Sequence, residues 1–197
     1  AGKSAGPDGL PNEFYKWMGE MVAPLLTQAF REAYDGNMLH ETFGGGYVSL
    51  LYKKKERNNI KNYRPITLLN CDYKILTRIL TKRMQKVMHE ITSSENTGFC
   101  PGRFIAENSQ LTKLLQAYLD EEEQPGALVF LDMEKAFDRV SWDYLHRSLA
   151  ALGFGENFRK WNSLLYDEGN APTRQLRVNG YTGSRFRIRS GVAQGCP

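Results

Sequence analysis

The stretch that most limits what this chain can fold into is residues 127–140, Ala-Leu-Val-Phe-Leu-Asp-Met-Glu-Lys-Ala-Phe-Asp-Arg-Val. Its apolar run, Leu128, Val129, Phe130 and Leu131, is short and branched, which predicts a buried strand rather than a helix. Asp132 closes the run where a strand would leave its sheet. A carboxylate at such a rim is costly unless it meets a cation or hydrogen-bond donors. Its bland alternative is a turn cap at a strand end. Along a continuous strand Asp132 and Asp138 would share a face but stand about 20 Å apart, at ~3.3 Å per residue. They cannot hold one ion unless the chain turns sharply between them. Asp132 is therefore the candidate metal ligand, and Asp138 a structural residue expected to cap the helix that follows.

The length of 197 residues suffices for one domain, or two small ones, with a real core. No apolar run approaches the ~20 residues that span a bilayer, and neither end resembles a signal peptide. The chain starts without methionine and stops just after a glycine-containing turn, so both ends read as cuts in a longer protein. Its three cysteines, Cys71, Cys100 and Cys196, show no paired spacing. That argues against a zinc site or disulfide framework and for a reducing, intracellular setting.

The net charge of +4 is modest, but its distribution is uneven. Lys53, Lys54, Lys55, Arg57, Lys61 and Arg64 crowd one span against a single acid, Glu56. Arg174, Arg177, Arg185, Arg187 and Arg189 crowd another. Such clusters are either solvated faces or footprints for phosphate.

Taken in order, Ala-Gly-Pro-Asp-Gly at 5–9 is turn-rich, and Pro11 suits the first turn of a helix. A second helix is expected over 21–34, with Val22, Leu25, Leu26, Ala29 and Phe30 as its buried stripe and Asp35-Gly36 as its stop. Strands over 47–52 and 62–69 flank the basic loop as a hairpin, with Pro65 implying an edge or bulge. Gly44, Gly45 and Gly46 lack the Gly-Lys-Ser/Thr of a P-loop. Helices follow over 71–90 and 105–123, the latter ending in the solvated acids Glu121, Glu122 and Glu123. Gln124, Pro125 and Gly126 mark a boundary. Ser141 reads as an N-cap for a helix over 142–152, with another helix over 156–166. Segments 173–178 and 184–189 form a hairpin around Asn179-Gly180. Arg185, Arg187 and Arg189 then share one face, which repels itself unless phosphate or acids lie opposite.

Several segments together resemble the reverse transcriptases of LINE-like, non-LTR retrotransposons. They are Ala-Gly-Pro-Asp-Gly at 5–9, Tyr-Arg-Pro-Ile at 63–66 and Tyr-Lys-Ile-Leu-Thr-Arg-Ile-Leu at 73–80. Thr-Gly-Phe-Cys-Pro-Gly-Arg at 97–103, the 127–140 stretch and Ser-Gly-Val-Ala-Gln-Gly-Cys-Pro at 190–197 complete the set. The resemblance implies an α+β chain with a right-hand polymerase fold. Residues 1–123 would be helical fingers with a β-hairpin and an N-terminal extension. Residues 124–197 would be a palm of antiparallel strands, cut short before an aromatic-Ala-Asp-Asp hairpin. It also implies an RNA template, a DNA primer and deoxynucleoside triphosphates as partners, a two-ion magnesium site, no membrane, and a parent element working in cytoplasm and nucleus.

By the same resemblance, Asp132 and the carbonyl of Met133 ligate metal, and Lys53 and Arg64 meet the triphosphate. Main-chain amides at Lys135 and Ala136 face it, Phe137 blocks a ribose 2′-hydroxyl, and Gln194 with Gly195 borders the nucleotide and template base. Arg103 is a candidate template contact, its alternative being plain surface exposure. Nowhere do two aspartates adjoin, so these residues alone are expected not to polymerise, and a palm lacking its central hairpin could self-associate through an exposed edge. The alternatives are a non-catalytic RNA-binding module with a polymerase-like fold, or a scaffold domain of that shape.

Overall fold

The computed structural model describes residues 4–193. They form two compact units, one running to Arg78 and resuming at Lys135, the other Ile79–Glu134.

The first unit opens with a turn in which the Gly9 amide donates to the Gly6 carbonyl at 3.1 Å. Helices α1 (Asn12–Trp17) and α2 (Gly19–Asp35) follow. The apolar stripe of α2 is narrower than the sequence suggests: Val22, Leu26 and Phe30 are half-buried, while Leu25 is 63% exposed. Stopping α2 falls to Asn37, whose φ of 51° is left-handed, whereas Gly36 keeps a helical φ of −75°.

Strands β1 (Gly46–Tyr52) and β2 (Tyr63–Leu69) make the expected antiparallel hairpin. Pro65 pairs opposite Leu50 on an edge strand, where its missing N–H costs no ladder bond. Strands β3 (Thr173–Val178) and β4 (Tyr181–Arg187) make a second hairpin. Its turn residues Asn179 and Gly180 both have positive φ, 50° and 84°, the geometry a two-residue turn of matching twist requires. Parallel pairing of β1 with β3 joins the two hairpins into one sheet ordered β2-β1-β3-β4. Gly46, the first residue of β1, serves packing: a Cβ there would sit 2.8 Å from the Thr67 methyl.

Helix α3 (Cys71–Gln85) starts in this unit, and its buried Tyr73 and Leu76 lie with Leu69 in the core. Rings link the elements: Phe43 lies 5.9 Å from Phe30 and 5.5 Å from Tyr73. Ser141 caps α6 (Trp142–Ala151) by accepting from the Tyr144 amide at 3.4 Å. Asp138 therefore does not cap that helix, as the sequence had suggested. It sits inside a 3-10 turn, Ala136–Arg139, one turn too early. Helix α7 (Glu156–Leu165) buries Leu164 and Leu165, and its Trp161 packs 5.2 Å from Tyr34 of α2.

The second unit holds the end of α3, the short α4 (Met88–Ile91) and α5 (Ala106–Glu121). The Arg103 guanidinium donates to the carbonyls of Ser93, Asn96 (2.7 Å) and Thr92 (3.2 Å). It thus staples its own loop, a role neither sequence reading foresaw. The predicted buried strand at 128–131 is absent. Residues 125–133 have no regular structure, and Val129, Phe130 and Leu131 are 77, 81 and 88% exposed. Propensity alone does not hold a strand; a ladder partner and a face to pack on do. Among the described residues no strand pairs with this run.

Candidate functional site

The β1–β2 loop is basic and held in one shape. Its turn uses a left-handed residue, Lys55, with φ of 73°. Three successive carbonyls of the loop are taken by side chains at the ends of the loop. Tyr52 donates its hydroxyl to Lys55, Asn62 its amide to Glu56 at 2.8 Å, and Tyr63 its hydroxyl to Arg57 at 2.8 Å. The Arg57 guanidinium lies 4.9 Å from the Tyr52 ring centre, a cation–π contact. With the carbonyls turned inward, Lys53, Lys54 and Lys55 remain exposed, as does Arg64 on β2 opposite Leu51. Sequence alone exposed the charges but missed the tyrosine and asparagine ties.

Downstream of Asp132 the chain turns sharply. Lys135 adopts a left-handed φ of 52°, no side chain caps the turn that follows, and the Lys135 carbonyl accepts from the amides of Asp138 (2.9 Å) and Arg139 (3.2 Å). This turn is clamped to the segment that leads towards Gln194. The Val192 amide donates to the Phe137 carbonyl at 2.9 Å, the Gly191 amide to Val140 at 2.8 Å, and the buried Trp142 indole to the Gly191 carbonyl at 2.9 Å. Gly191 is the hinge of this clamp. Its φ is +81°, and a Cβ there would lie 2.8 Å from the Asp138 Cα and carbonyl oxygen. The Ser-Gly dipeptide was the only sequence signal for it.

The structure therefore brings Phe137, 46% exposed, beside the residues preceding Gln194. Gln194 and Gly195 themselves lie outside the described residues. Lys53 and Arg64 share the β1–β2 hairpin. Asp132 and Met133 are exposed and belong to the second unit, Lys135, Ala136 and Phe137 to the first. Among the described residues no three His, Cys, Asp or Glu side chains form a group able to hold a metal ion. A lone carboxylate does not meet the oxygen-rich shell that magnesium requires, so the residues present do not by themselves fit that ion.

A different charged cluster, not flagged by the sequence, lies where the N-terminal turn docks on α3. The Asn70 side chain accepts from the Asp8 amide and donates to the Thr42 carbonyl, both at 3.2 Å. A Cβ on Gly6 would come within 2.5 Å of the Asn70 amide nitrogen, so this glycine lets two backbones touch. Burial pushes the Asp72 carboxyl above its ordinary pKa, helped by the nearby Asp8 charge and opposed by the bond from the Tyr73 amide. The Tyr15 hydroxyl is pushed up to about 12, by burial first and then by the Asp72 charge.

Residues 52–197 match the family described as reverse transcriptase (RNA-dependent DNA polymerase). The chain is 32% identical over 195 residues, 99% of its length, to a Xenopus laevis protein named transposon TX1 uncharacterized 149 kDa protein, of which this covers 15%. It is 35% identical over 199 residues, 98% of its length, to the probable RNA-directed DNA polymerase from transposon BS of Drosophila melanogaster, covering 21% of that protein. A Pol polyprotein of the type-1 retrotransposable element R2 from Popillia japonica is 30% identical over 153 residues, 76% of this chain and 20% of the relative. The chain thus spans about a fifth or less of the length of these relatives. Among the described residues no helix is long and apolar enough to cross a membrane. The chain belongs to the reverse transcriptase family, in its non-LTR retrotransposon branch.

Proposed function

We propose that the chain forms the fingers and the beginning of the palm of an RNA-directed DNA polymerase in a right-hand arrangement. Residues 1–123 serve as fingers and N-terminal extension, and 124–197 as palm. Its partners are an RNA template, a DNA primer and an incoming deoxynucleoside triphosphate. One observation carries this reading: the β1–β2 hairpin holds a pre-shaped basic loop with Lys53 and Arg64 exposed.

Each named residue then has a task. The Arg64 guanidinium pairs with phosphate oxygens as a planar fork, and Lys53 adds a point charge. The turn at Lys135 and Ala136, with no side-chain cap, offers main-chain amides to the same phosphates. Phe137, held through its carbonyl by Val192, stands against a ribose 2′-hydroxyl. Gln194 and Gly195 border the nucleotide and the template base.

Asp132, with the Met133 carbonyl, contributes to the magnesium site on which the family relies. Its further carboxylates are not supplied by these residues, so the 197-residue chain alone does not extend a primer. The test is nucleotide dependence in a longer protein that carries this sequence within a complete polymerase domain. Arg64→Gln is expected to raise the apparent KM for deoxynucleotides about tenfold or more, the worth of one charge-assisted phosphate contact at ~1.5–3 kcal/mol. An unchanged KM would remove Arg64 from the site, and extension by the 197-residue chain itself would refute its incompleteness.

A further inference from the structure

Strand β4 ends the sheet. Among the described residues it pairs with β3 alone, and each of its residues is exposed. Register shows which of its main-chain groups are already used. The Ile188 amide donates to the Pro172 carbonyl at 2.9 Å. Two residues earlier, on the same side, comes Phe186, paired with Arg174 of β3. Backbone groups alternate sides along an antiparallel strand, so the N–H and C=O of Arg185 and Arg187 point away from the sheet. Further back, past the register shift, the Gly183 carbonyl accepts from the Gln175 side-chain amide at 3.3 Å. The open edge is thus short and centred on residues 185–187.

Side chains alternate there as well. Arg185 and Arg187 share one face, opposite Gln175 and Thr173, and neither forms an ion pair among the described residues. Alternate residues on a strand stand about 6.6 Å apart, and like charges so placed repel unless acids lie beside them. Phe186 shares the other face with Arg174 and is 47% exposed. With Tyr73, Leu165, Pro172 and Met38 it lines a cleft of about 530 Å³ that runs alongside both arginines. Tyr73, Leu165 and Pro172 are buried, which gives the cleft an apolar floor. Glu41 lines it too and disfavours an anion within it.

We propose that this edge docks an extended segment of a partner protein, reading acid–apolar–acid and added antiparallel to β4. Residues directly opposite Arg187 and Arg185 exchange both main-chain bonds with them and hold carboxylates beside the two guanidiniums. The residue between falls opposite Phe186 and seats its apolar side chain at the cleft. In such strand addition backbone bonds give affinity and alternate side-chain pockets give selectivity. Charges on an edge strand ordinarily deter pairing; two arginines deter neutral and basic strands and select an acidic one. A phosphate backbone supplies acceptors, but no row of N–H donors for the outward carbonyls and no apolar group for the cleft. The pattern also occurs within the chain, at Asp132-Met133-Glu134, but the net charge of +4 disfavours a second copy. The proposal stands apart from nucleotide chemistry, so its failure leaves the polymerase reading untouched.

The experiment is fluorescence anisotropy at low salt with the whole chain and a labelled peptide, Gly-Ser-Thr-Glu-Phe-Glu-Thr-Ser-Gly. Saturable binding is expected. Methylating the main-chain nitrogens of both glutamates should weaken it about tenfold, through loss of two ladder bonds. Methylating that of the phenylalanine, whose N–H faces away from β4, should change it less than about twofold. Replacing the phenylalanine by serine should weaken binding several-fold. A Lys-Phe-Lys peptide should bind the double variant Arg185→Glu, Arg187→Glu and not the wild type, while the variant loses the first peptide by about tenfold. The methylation arms use the wild-type chain, so they decide the matter even where the variant fails to fold. No saturable binding below about 1 mM would overturn the proposal, as would equal weakening by the two methylation patterns. RNA affinity lost in the double variant, without peptide binding by the wild type, would make phosphate the occupant. A mass in light scattering that doubles with concentration and falls back on adding peptide would make it a second copy. Either result contradicts the proposal.

Discussion

The amide of Val192 donates to the carbonyl of Phe137 at 2.9 Å. Fifty-five positions apart in sequence, these two residues join the turn after Asp132 to the segment before Gln194. Both segments carry nucleotide-site candidates, and the backbone bond fixes one against the other without relying on a mobile side chain.

Gly191 makes that junction possible, so Gly191→Ala should destabilise the chain by about 2–5 kcal/mol. The sum combines a left-handed alanine, ~1–2 kcal/mol, with overlap against the backbone of Asp138, ~1–3 kcal/mol. Thermal unfolding should show a melting temperature lower by roughly 4–20 °C, at ~2–4 °C per kcal/mol for a chain of this size. A melting point within a degree of wild type would mean the junction is not formed in solution.

Gly6→Ala tests the docking of the N-terminal turn on Asn70. The added methyl meets main-chain atoms of Leu69 and Asn70 as well as the Asn70 side-chain oxygen, and overpacking of that kind costs ~1–3 kcal/mol. Asn70→Ala should weaken the same docking, leaving the Asp8 amide and Thr42 carbonyl without these bonds. Faster amide exchange in residues 5–11 in both variants is the expected readout.

Asp72 predicts the sign of one pH effect. Its carboxyl is held above the ordinary value chiefly by burial. The stability linked to it is therefore fully present below the unfolded pKa, ~3.9, and is lost as pH rises through the higher folded value. At pH 7 its charge opposes folding. Asp72→Asn, which retains an acceptor for the Tyr73 amide, should be at least as stable as wild type at pH 7. The wild type should gain on the variant as pH falls from 7 towards 4. Parallel melting curves for the two proteins over that range would contradict the burial assigned to Asp72.

Tyr63→Phe removes the hydroxyl that takes the Arg57 carbonyl. One such bond is worth ~0.5–1.5 kcal/mol, so global stability should fall little. Amide exchange in residues 53–62 should quicken several-fold, and a longer polymerase bearing the change should show a raised KM for deoxynucleotides with little change in kcat. Unaltered loop exchange would show that the tyrosine ties do not order the basic loop.

Much of the fold was legible because local chemistry and global structure agree. Pro65 marked an edge strand, Asn179-Gly180 a tight hairpin and Ser141 a cap, and each rule acts within a few residues. Two things were not legible. The joining of the hairpins through β1 and β3 depends on pairing more than a hundred residues apart, which no local pattern encodes. The run Leu128 to Leu131 looks like a strand by composition, but composition does not supply a ladder. At the candidate site the charged residues could be read directly. Gly191, Trp142, Tyr63 and Asn62, which hold the site's backbone, could not, because their importance lies in what the fold brings opposite them.

The central claim is that Asp132 serves the chemistry of a polymerase whose nucleotide grip this chain supplies. Its most direct test is primer extension on an RNA template by a longer protein containing this sequence, comparing wild type with Asp132→Asn at equal folded concentration. Loss of at least a hundredfold in rate is expected, equivalent to about 2.7 kcal/mol of transition-state stabilisation, with RNA affinity unchanged. Extension by the Asp132→Asn protein at a rate near wild type would contradict the account.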